Sequence, residues 1–320
     1  MDDRRTFLKK SVMASAVLAV PTVAGCACLD TIRAKVPMKT RQVNRALVVW
    51  YSQTGSTRRY GRLMAKTMQE AGIKVTAGDL REIDQKTAAS YDLLVVGAPV
   101  FYYDAPSFVQ QWVRSLPDLG GMPVAAYVSF GGPEGNQHNA ACSILECLVQ
   151  KNGVPMTQKA FMNIGSYPLS WAGDKINKTP WKNQNLPDRQ TYEQVRQYAL
   201  HILEQVAKGQ PAEFSKKITL REISTYFGPI WWTKRSIEKH YILKDKCIAC
   251  GTCVEKCPAQ AIDLANHSVN QEACVMCFGC LNNCPAQAMY LEYDGVRLIG
   301  FHEFLKMKNI QIMEPAELKG

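Results

Sequence analysis

The sequence lacks the features that mark several large classes of protein. No apolar run in its 320 residues reaches the length of about 20 that a membrane-spanning helix needs. No nucleophile, histidine and acid stand in a pattern typical of hydrolases, and no pair of carboxylates indicates hydrolytic chemistry. The formal net charge is +10, but no basic motif or aromatic platform for nucleic acid accompanies it. We therefore expect no nucleic-acid partner, and we attribute the positive charge to solubility.

Cysteine, in contrast, is abundant and strongly clustered. Of the 12 cysteines, eight lie in one stretch that contains the pattern C-x2-C-x2-C-x3-C-P twice. They are Cys247, Cys250, Cys253, Cys257, Cys274, Cys277, Cys280 and Cys284. Zinc sites usually pair one C-x2-C with a distant second one, so the tight spacing argues against zinc. A disulfide knot in a secreted chain is the other alternative, but the proline after each fourth cysteine and the doubled spacing favour iron–sulfur clusters.

Over about fifty residues this stretch resembles the bacterial-type ferredoxins, which carry two [4Fe-4S] clusters. In that family the first three cysteines of a motif bind one cluster and the fourth binds the other. The resemblance implies a first cluster bound by Cys247, Cys250, Cys253 and Cys284. It implies a second cluster bound by Cys257, Cys274, Cys277 and Cys280. We expect Gly251 and Gly279 to let backbone amides approach the sulfides closely.

Earlier in the chain, a continuous apolar run over Ala46–Tyr51 predicts a strand that is buried on both faces. A hydroxyl-rich loop follows, and a helical pattern then extends from about Arg58 to Glu70. This arrangement places amides and hydroxyls around an anion at a helix N-terminus. The loop matches neither the ATPase motif G-x-x-x-x-G-K-[ST] nor the dinucleotide motif G-x-G-x-x-G. It resembles the flavodoxin phosphate loop T-x-T-G-x-T, which implies that the phosphate of FMN is bound by Ser52, Gln53, Thr54, Gly55, Ser56 and Thr57.

Further strands are predicted over residues 92–98 and 123–130, and each is followed by a loop. These loops resemble the second and third flavin loops of flavodoxins, and in the second of these an aromatic ring covers the face of the isoalloxazine. The candidate flavin-binding residues in and beside these loops are Pro99, Val100, Phe101, Tyr102, Phe130, Gly131 and Gly132. A flavin-free relic of the same fold is the alternative.

Alternating strands and helices predict a parallel sheet with right-handed crossovers. We predict an α/β fold, a flavodoxin-like doubly wound parallel sheet of order 2-1-3-4-5, followed by a small α+β bacterial ferredoxin domain. The predicted divisions are a signal peptide 1–25, a tether 26–44, an FMN domain 45–210, a linker 211–243, a ferredoxin domain 244–293 and a C-terminal tail 294–320. The connection 165–187 is long for this fold and predicts a rim over the flavin or a seat for the cluster domain.

The amino terminus resembles a twin-arginine export signal, with Arg4 and Arg5 ahead of an apolar segment over residues 12–24. The segment ends Val23-Ala24-Gly25-Cys26, which resembles a lipoprotein box and implies lipidation of Cys26. Ordinary cleavage nearby and an uncleaved anchor are the alternatives. Because the twin-arginine route carries folded proteins, cofactors can be inserted before export. We expect a membrane-anchored lipoprotein on the periplasmic or other extracytoplasmic face.

Beyond the signal, the whole chain resembles fusions of a flavodoxin domain with a two-[4Fe-4S] ferredoxin domain. The resemblance implies electron transfer with redox partner proteins that the sequence does not identify, the flavin coupling one- and two-electron partners. A flavin-dependent oxidoreductase acting on a small molecule or quinone, with the clusters as wiring, is the alternative. A non-redox lipoprotein with a degenerate flavin site is the third possibility.

Overall fold

The computed structural model describes residues 31–132, 137–178, 183–217 and 229–318. The predicted export signal and the candidate lipidation site Cys26 lie outside these described residues. Within them, no helix combines the length and the apolar character needed to cross a membrane.

Five parallel strands form the central sheet in the order β2-β1-β3-β4-β5, which confirms the predicted fold. The strands are β1 Arg45–Trp50, β2 Lys74–Asp79, β3 Leu93–Pro99, β4 Pro123–Phe130 and β5 Val154–Met162. Val48 of β1 lies opposite Ala77 of β2 on one side and opposite Val95 of β3 on the other. Because the strand order reverses next to β1, the loops after β1 and β3 diverge and leave a crevice at the carboxyl edge.

Helices cover both faces of this sheet, which is why its inner strands are apolar throughout rather than alternating. The helices are α1 Ser56–Glu70, α2 Ser107–Arg114, α3 Gln137–Gln150 and α4 Arg189–Lys208. Leu47 and Val49 belong to the core that includes α2 and α3, whereas Ala46 and Val48 belong to the core that includes α1 and α4. The two-sided core fixes the sheet, and the sheet in turn fixes the loops at its carboxyl edge.

A smaller domain follows helix α5, Pro229–Ser236. Its strands are β6 Ile237–Ile242, β7 Ile262–Asp263, β8 Ser268–Val269, β9 Met289–Tyr293 and β10 Val296–Arg297. Strands β10, β9 and β6 form one antiparallel sheet, while β7 and β8 pair as a hairpin. Because β6 pairs with β9, residues 237–242 of the predicted linker complete the sheet of the small domain.

Residues 31–44, which the sequence predicts to be part of a tether, pack against the large domain. Ile32 is 6% exposed and pairs with Phe214 through hydrogen bonds of 2.8 and 3.0 Å in both directions. The Lys39 amide donates to the Gly121 carbonyl at 2.7 Å. This segment is therefore held on the large domain by hydrogen bonds and by burial of Ile32.

The C-terminal tail docks between the two domains. Helix α6, Phe301–Met307, buries Phe301 and Phe304 completely. The Trp171 ring stacks on Phe304 with centroids 4.3 Å apart, and its indole nitrogen donates to the Ile299 carbonyl at 3.0 Å. Trp171 belongs to the long connection after β5, so this connection seats the small domain through the tail.

Candidate functional site

The predicted phosphate loop lies between β1 and α1 at the carboxyl edge of the sheet. Gly55 occupies the N-cap position with φ +96°, a left-handed conformation that disfavours other residues. No side chain caps the helix, so the first backbone amides of α1 keep their donors for an external anion. The local structure is that of an anion-binding helix N-terminus.

The hydroxyls of this loop fit a bound phosphate. The Oγ atoms of Ser52 and Ser56 are buried, and neither has a hydrogen-bond partner in the described part of the chain. Thr57 Oγ1 is instead hydrogen-bonded to Ser129 Oγ at 2.7 Å, which fixes the loop to β4. Buried hydroxyls without partners are costly, and an oxyanion ligand would satisfy both.

Arg59 adds a cation that the sequence pattern does not reveal. Its guanidinium folds back over the loop, so that a Cβ added to Gly55 would lie 3.1 Å from Arg59 Nη1. Nη1 is buried without a partner within the described residues, while Nε pairs with Glu314. A guanidinium behind the loop favours negative charge in it.

The second loop points toward the small domain. Tyr102 and Tyr103 have positive φ of 49° and 72°, an uncommon conformation for large side chains. The Tyr102 hydroxyl donates to the Met276 carbonyl at 2.8 Å, across the domain boundary. Burial raises the pKa of Tyr102 well above its usual range, so this donor stays protonated. The strained conformation is thus maintained by contacts with the other domain.

The third loop approaches the connection after β5. A Cβ added to Gly131 would lie 2.3 Å from the Cα of Gly165, so the two backbones meet where only glycine fits. Gly132 lines the cavity that these three loops surround, which is described next. Residues 133–136 of the predicted loop lie outside the described residues.

These loops surround a cavity of about 630 Å³, within the range of small-molecule and cofactor sites. Its walls include every predicted flavin-binding residue except Gly55, whose backbone shapes the loop. They also include Tyr167 and Trp171 of the long connection, which was predicted to form a rim over the flavin. Trp232 of α5, from the predicted linker, lines the cavity as well. The volume, the aromatic rings and the unpartnered hydroxyls together fit an FMN. We call this space the flavin cavity.

The eight clustered cysteines separate into two sets of four. Cys247, Cys250, Cys253 and Cys284 line one small cavity. Cys257, Cys274, Cys277 and Cys280 line another. These sets combine three cysteines of one motif with the fourth of the other. All ten cysteines of the described ranges are free, and no group of three or more His, Cys, Asp or Glu there is arranged to bind a single metal ion. Each set surrounds a space, as iron–sulfur clusters require.

The two motifs adopt the same backbone conformation at equivalent positions. Left-handed residues recur in pairs, Ala249 with Met276, Gly251 with Phe278 and Gln260 with Gln287. The equivalent of Gly251 is therefore Phe278, with φ 60°, and not Gly279, which begins the short helix Gly279–Asn283. A phenylalanine in this conformation carries strain that a glycine would avoid. Its ring lies in the wall of the flavin cavity.

The second cysteine set is the more deeply buried. Burial raises the pKa of the Cys277 thiol to about 12 and that of Cys280 well above its usual range. Deprotonated sulfurs there need adjacent positive charge, which iron ions would supply. His240 Nε2 lies 3.6 Å from Cys280 Sγ, and burial lowers the pKa of His240 to about 4, so the imidazole is neutral. The sequence gives no signal for this contact, because His240 precedes the motifs on β6.

Gln53, predicted to bind the flavin phosphate, directs its side chain across the domain boundary. Its amide nitrogen donates to the Cys277 carbonyl, and its amide oxygen accepts from Asn282 Nδ2 at 2.9 Å. Asn282 is 1% exposed and also donates to the Ser166 carbonyl at 3.1 Å. Asn283 Nδ2 donates to the Gln53 carbonyl at 3.1 Å. These bonds form a polar latch between the phosphate loop and the second motif.

One stretch of backbone forms part of the wall of both the flavin cavity and the cavity of the second cysteine set. Met276, Cys277 and Phe278 line both the flavin cavity and the cavity of the second cysteine set. The cavity of the first set shares no lining residue with the flavin cavity. The second cysteine set therefore lies directly against the flavin cavity, whereas the first set shares no wall with it.

Comparison with known families divides the chain in the same way. Residues 47–163 match the family described as flavodoxin domain. Residues 239–285 match the family described as 4Fe-4S dicluster domain. The second match begins within β6, the strand that pairs with β9.

Solved structures resemble about half of the chain at low identity. A flavodoxin from the domain Archaea is 16% identical, with a TM-score of 0.37, over 51% of this chain and 98% of its own. Flavodoxin 1 from Bacillus cereus is 14% identical, with a TM-score of 0.40, over 50% and 97%. Rubredoxin oxygen:oxidoreductase from Desulfovibrio gigas is 16% identical, with a TM-score of 0.36, over 52% and 37%. No curated protein matches the chain. The two family matches support a chain that joins a flavodoxin domain to a 4Fe-4S dicluster domain.

Proposed function

We propose that this chain is an electron-transfer protein that passes electrons between two [4Fe-4S] clusters and an FMN. The observation that carries the proposal is the wall Met276–Phe278, which separates the flavin cavity from the second cysteine set by one layer of backbone. Clusters exchange single electrons and a flavin one or two, so the pair would couple one- and two-electron partners. The partners are redox proteins of a kind that the sequence does not specify.

The residues of the chain would perform three tasks in this function. The phosphate loop would bind the FMN phosphate through backbone amides and the hydroxyls of Ser52 and Ser56. The latch of Gln53 and Asn282 would hold the two domains at a constant separation. Backbone amides directed at cysteine sulfurs would tune their charge, as Ala261 N does at 3.2 Å from Cys257 and Ala288 N at 3.2 Å from Cys284.

Anaerobic purification of the protein tests this function. We expect about eight iron and eight acid-labile sulfide per chain, as two [4Fe-4S] clusters require, and about one FMN. Redox titration followed by absorbance and EPR should resolve separate flavin and cluster transitions. Zinc in place of iron, or a protein without flavin absorbance that does not take up added FMN, would refute the assignment.

A second function is favoured by the surroundings of the flavin cavity. Trp232 is 49% exposed and Tyr167 is 40% exposed, and both line the cavity. Half-exposed aromatic rings at a cavity suit an apolar reactant such as a quinone. In this alternative the chain is a flavin-dependent oxidoreductase, and the clusters supply its electrons. Steady-state turnover of a water-soluble quinone analogue by the reduced protein would favour it over a carrier.

We further propose that the chain is exported by its twin-arginine signal and anchored through a lipid on Cys26. The motif at residues 23–26 supports this proposal. We expect Cys26→Ala to move the protein from the membrane fraction to the soluble extracytoplasmic fraction, because the lipid supplies most of the membrane affinity. Membrane fractionation with labelled fatty acid measures this. Cys142→Ala, a change at a buried free cysteine, is the control and should stay with the membrane. Unchanged fractionation of the Cys26 variant would indicate an uncleaved anchor.

A further inference from the structure

A second large cavity, of about 640 Å³, lies against the phosphate loop, between the large and small domains. It shares Ser52, Gln53 and Thr54 with the flavin cavity. Its small-domain wall includes Lys256 and Asn283, each of which immediately precedes the fourth cysteine of one motif. A molecule in this cavity would contact the flavin-binding loop and the backbone next to both cysteine sets.

Lysine and arginine outnumber carboxylates in the lining of this cavity, and we call it the basic cleft. Six Lys or Arg and three carboxylates line it, a net charge of +3 when His302 is neutral. Burial lowers the pKa of His302, which keeps it neutral near pH 7. Four of the cations already have carboxylate partners, in the pairs Arg59–Glu314, Lys66–Glu70, Arg81–Asp79 and Lys256–Glu255.

Arg58 and Arg62 are the cations left over. Both are exposed, and neither has a hydrogen-bond or ion-pair partner within the described ranges. They lie four residues apart on α1, hence on the same side of the helix, where two like charges repel each other slightly. Nothing within the described chain offsets this repulsion, so an external group of negative charge would find both guanidinium groups available.

We propose that the basic cleft is the docking site for an acidic electron-transfer protein, whose carboxylates pair with Arg58 and Arg62. This inference rests on the proposed function, because it names the partner with which the clusters exchange electrons. One electron passes between the partner's redox centre and a cluster, and no bond or proton needs to move. Docking here places the partner against Lys256 and Asn283, beside the ligands of both cysteine sets.

The geometry favours a protein surface over a small anion. Arg58, Arg62 and Lys66 form a row along α1 that extends about 12 Å, at 1.5 Å of rise per residue. A small anion needs donors that converge on one point, whereas a row of exposed cations matches a surface of carboxylates. Opposite charges at the rim of such an interface raise the association rate, with a strong dependence on salt.

The double variant Arg58→Glu with Arg62→Glu tests this docking site. The probe is a reduced acidic bacterial two-[4Fe-4S] ferredoxin, and calorimetry and stopped-flow absorbance measure its binding and its electron transfer. We expect the affinity and the second-order rate at low salt both to fall at least tenfold, and the difference between variant and wild type to vanish at about 0.5 M salt. The variant should fold, because acidic residues in the first turns of a helix are favourable.

Arg33→Glu with Lys74→Glu is the matched control, since both residues are exposed and neither lines the basic cleft. An equal loss in this control, an unchanged affinity in the cleft variant, or stoichiometric binding of inorganic pyrophosphate that competes with the ferredoxin would overturn the proposal. Photoreduction by a neutral deazaflavin reports separately on the proposed function. If the protein holds no clusters, that function fails, yet calorimetric binding that depends on Arg58 and Arg62 would still uphold the docking site.

Discussion

Cys284→Ala is expected to remove one [4Fe-4S] cluster and to leave the other intact. Cys284 lies with Cys247, Cys250 and Cys253 around one cavity, although it belongs to the second motif in the sequence. Without its thiolate, the first set retains three ligands and an open position exposed to solvent, where clusters degrade. The second set keeps all four cysteines. Iron and acid-labile sulfide should therefore fall from about eight to about four per chain, and one of two EPR signals should disappear.

The reciprocal variant sharpens this test. Cys257→Ala should remove the cluster of the second set, which shares the wall Met276–Phe278 with the flavin cavity. In this variant we expect electron exchange between the flavin and the remaining cluster of the first set to be slow. The Cys284→Ala variant should retain rapid exchange between the flavin and the adjacent cluster of the second set. Cys147→Ala, which removes a buried thiol outside both sets, should keep full iron content. Loss of the second cluster alone in Cys284→Ala would contradict the crossed sets.

The fold could be predicted because its signals are local and repeated. Each inner strand is a continuous apolar run, as a sheet covered on both faces requires, and each is followed by a helix of suitable length. The order of the strands then follows from the handedness of the crossovers and the resemblance of the loops. The grouping of the cysteines, in contrast, was implied by the resemblance of the doubled motif to the bacterial ferredoxins and not by the spacing alone.

Contacts between the domains could not be predicted, because they join residues far apart in the chain. In the sequence, Gln53 is one of several polar residues of the predicted phosphate loop. Its hydrogen-bond partners Cys277 and Asn282, however, lie more than 220 residues later. The pairing of β6 with β9 was not evident either, since β6 carries no cysteine and lies ahead of both motifs. Local patterns contain no information on either feature.

Phe278 illustrates a different limit. Sequence reasoning assigns conformational freedom to glycine, and Gly279 stands one position away from the residue that needs it. The structure places Phe278 in the left-handed conformation and buries its ring to 4% exposure, within 5.5 Å of the Tyr167 centroid. Packing of the Phe278 ring against Tyr167 of the large domain offsets this strain, so the stabilisation requires both domains.

Gln53→Ala should separate the two tasks of the phosphate loop. Removing the amide leaves the buried Cys277 carbonyl without its donor and takes one acceptor from Asn282, a loss of about 1–3 kcal/mol in domain docking. Contacts between domains of one chain are commonly weak enough for such a loss to matter. At about 2 kcal/mol, the equilibrium constant for domain docking falls roughly thirtyfold, so electron exchange between flavin and clusters should slow by up to that factor, as measured by flash photoreduction.

The affinity for FMN should change less than threefold in the same variant, because the lost side chain binds the other domain and not the phosphate. Gln85→Ala is the matched control, since Gln85 Nε2 also donates to a backbone carbonyl, that of Trp112 at 2.9 Å, but within the large domain. It should alter neither quantity. A Gln53→Ala protein that binds FMN at least tenfold more weakly while its electron exchange stays at the wild-type rate would show that Gln53 is a phosphate ligand and that the latch does not hold the domains together.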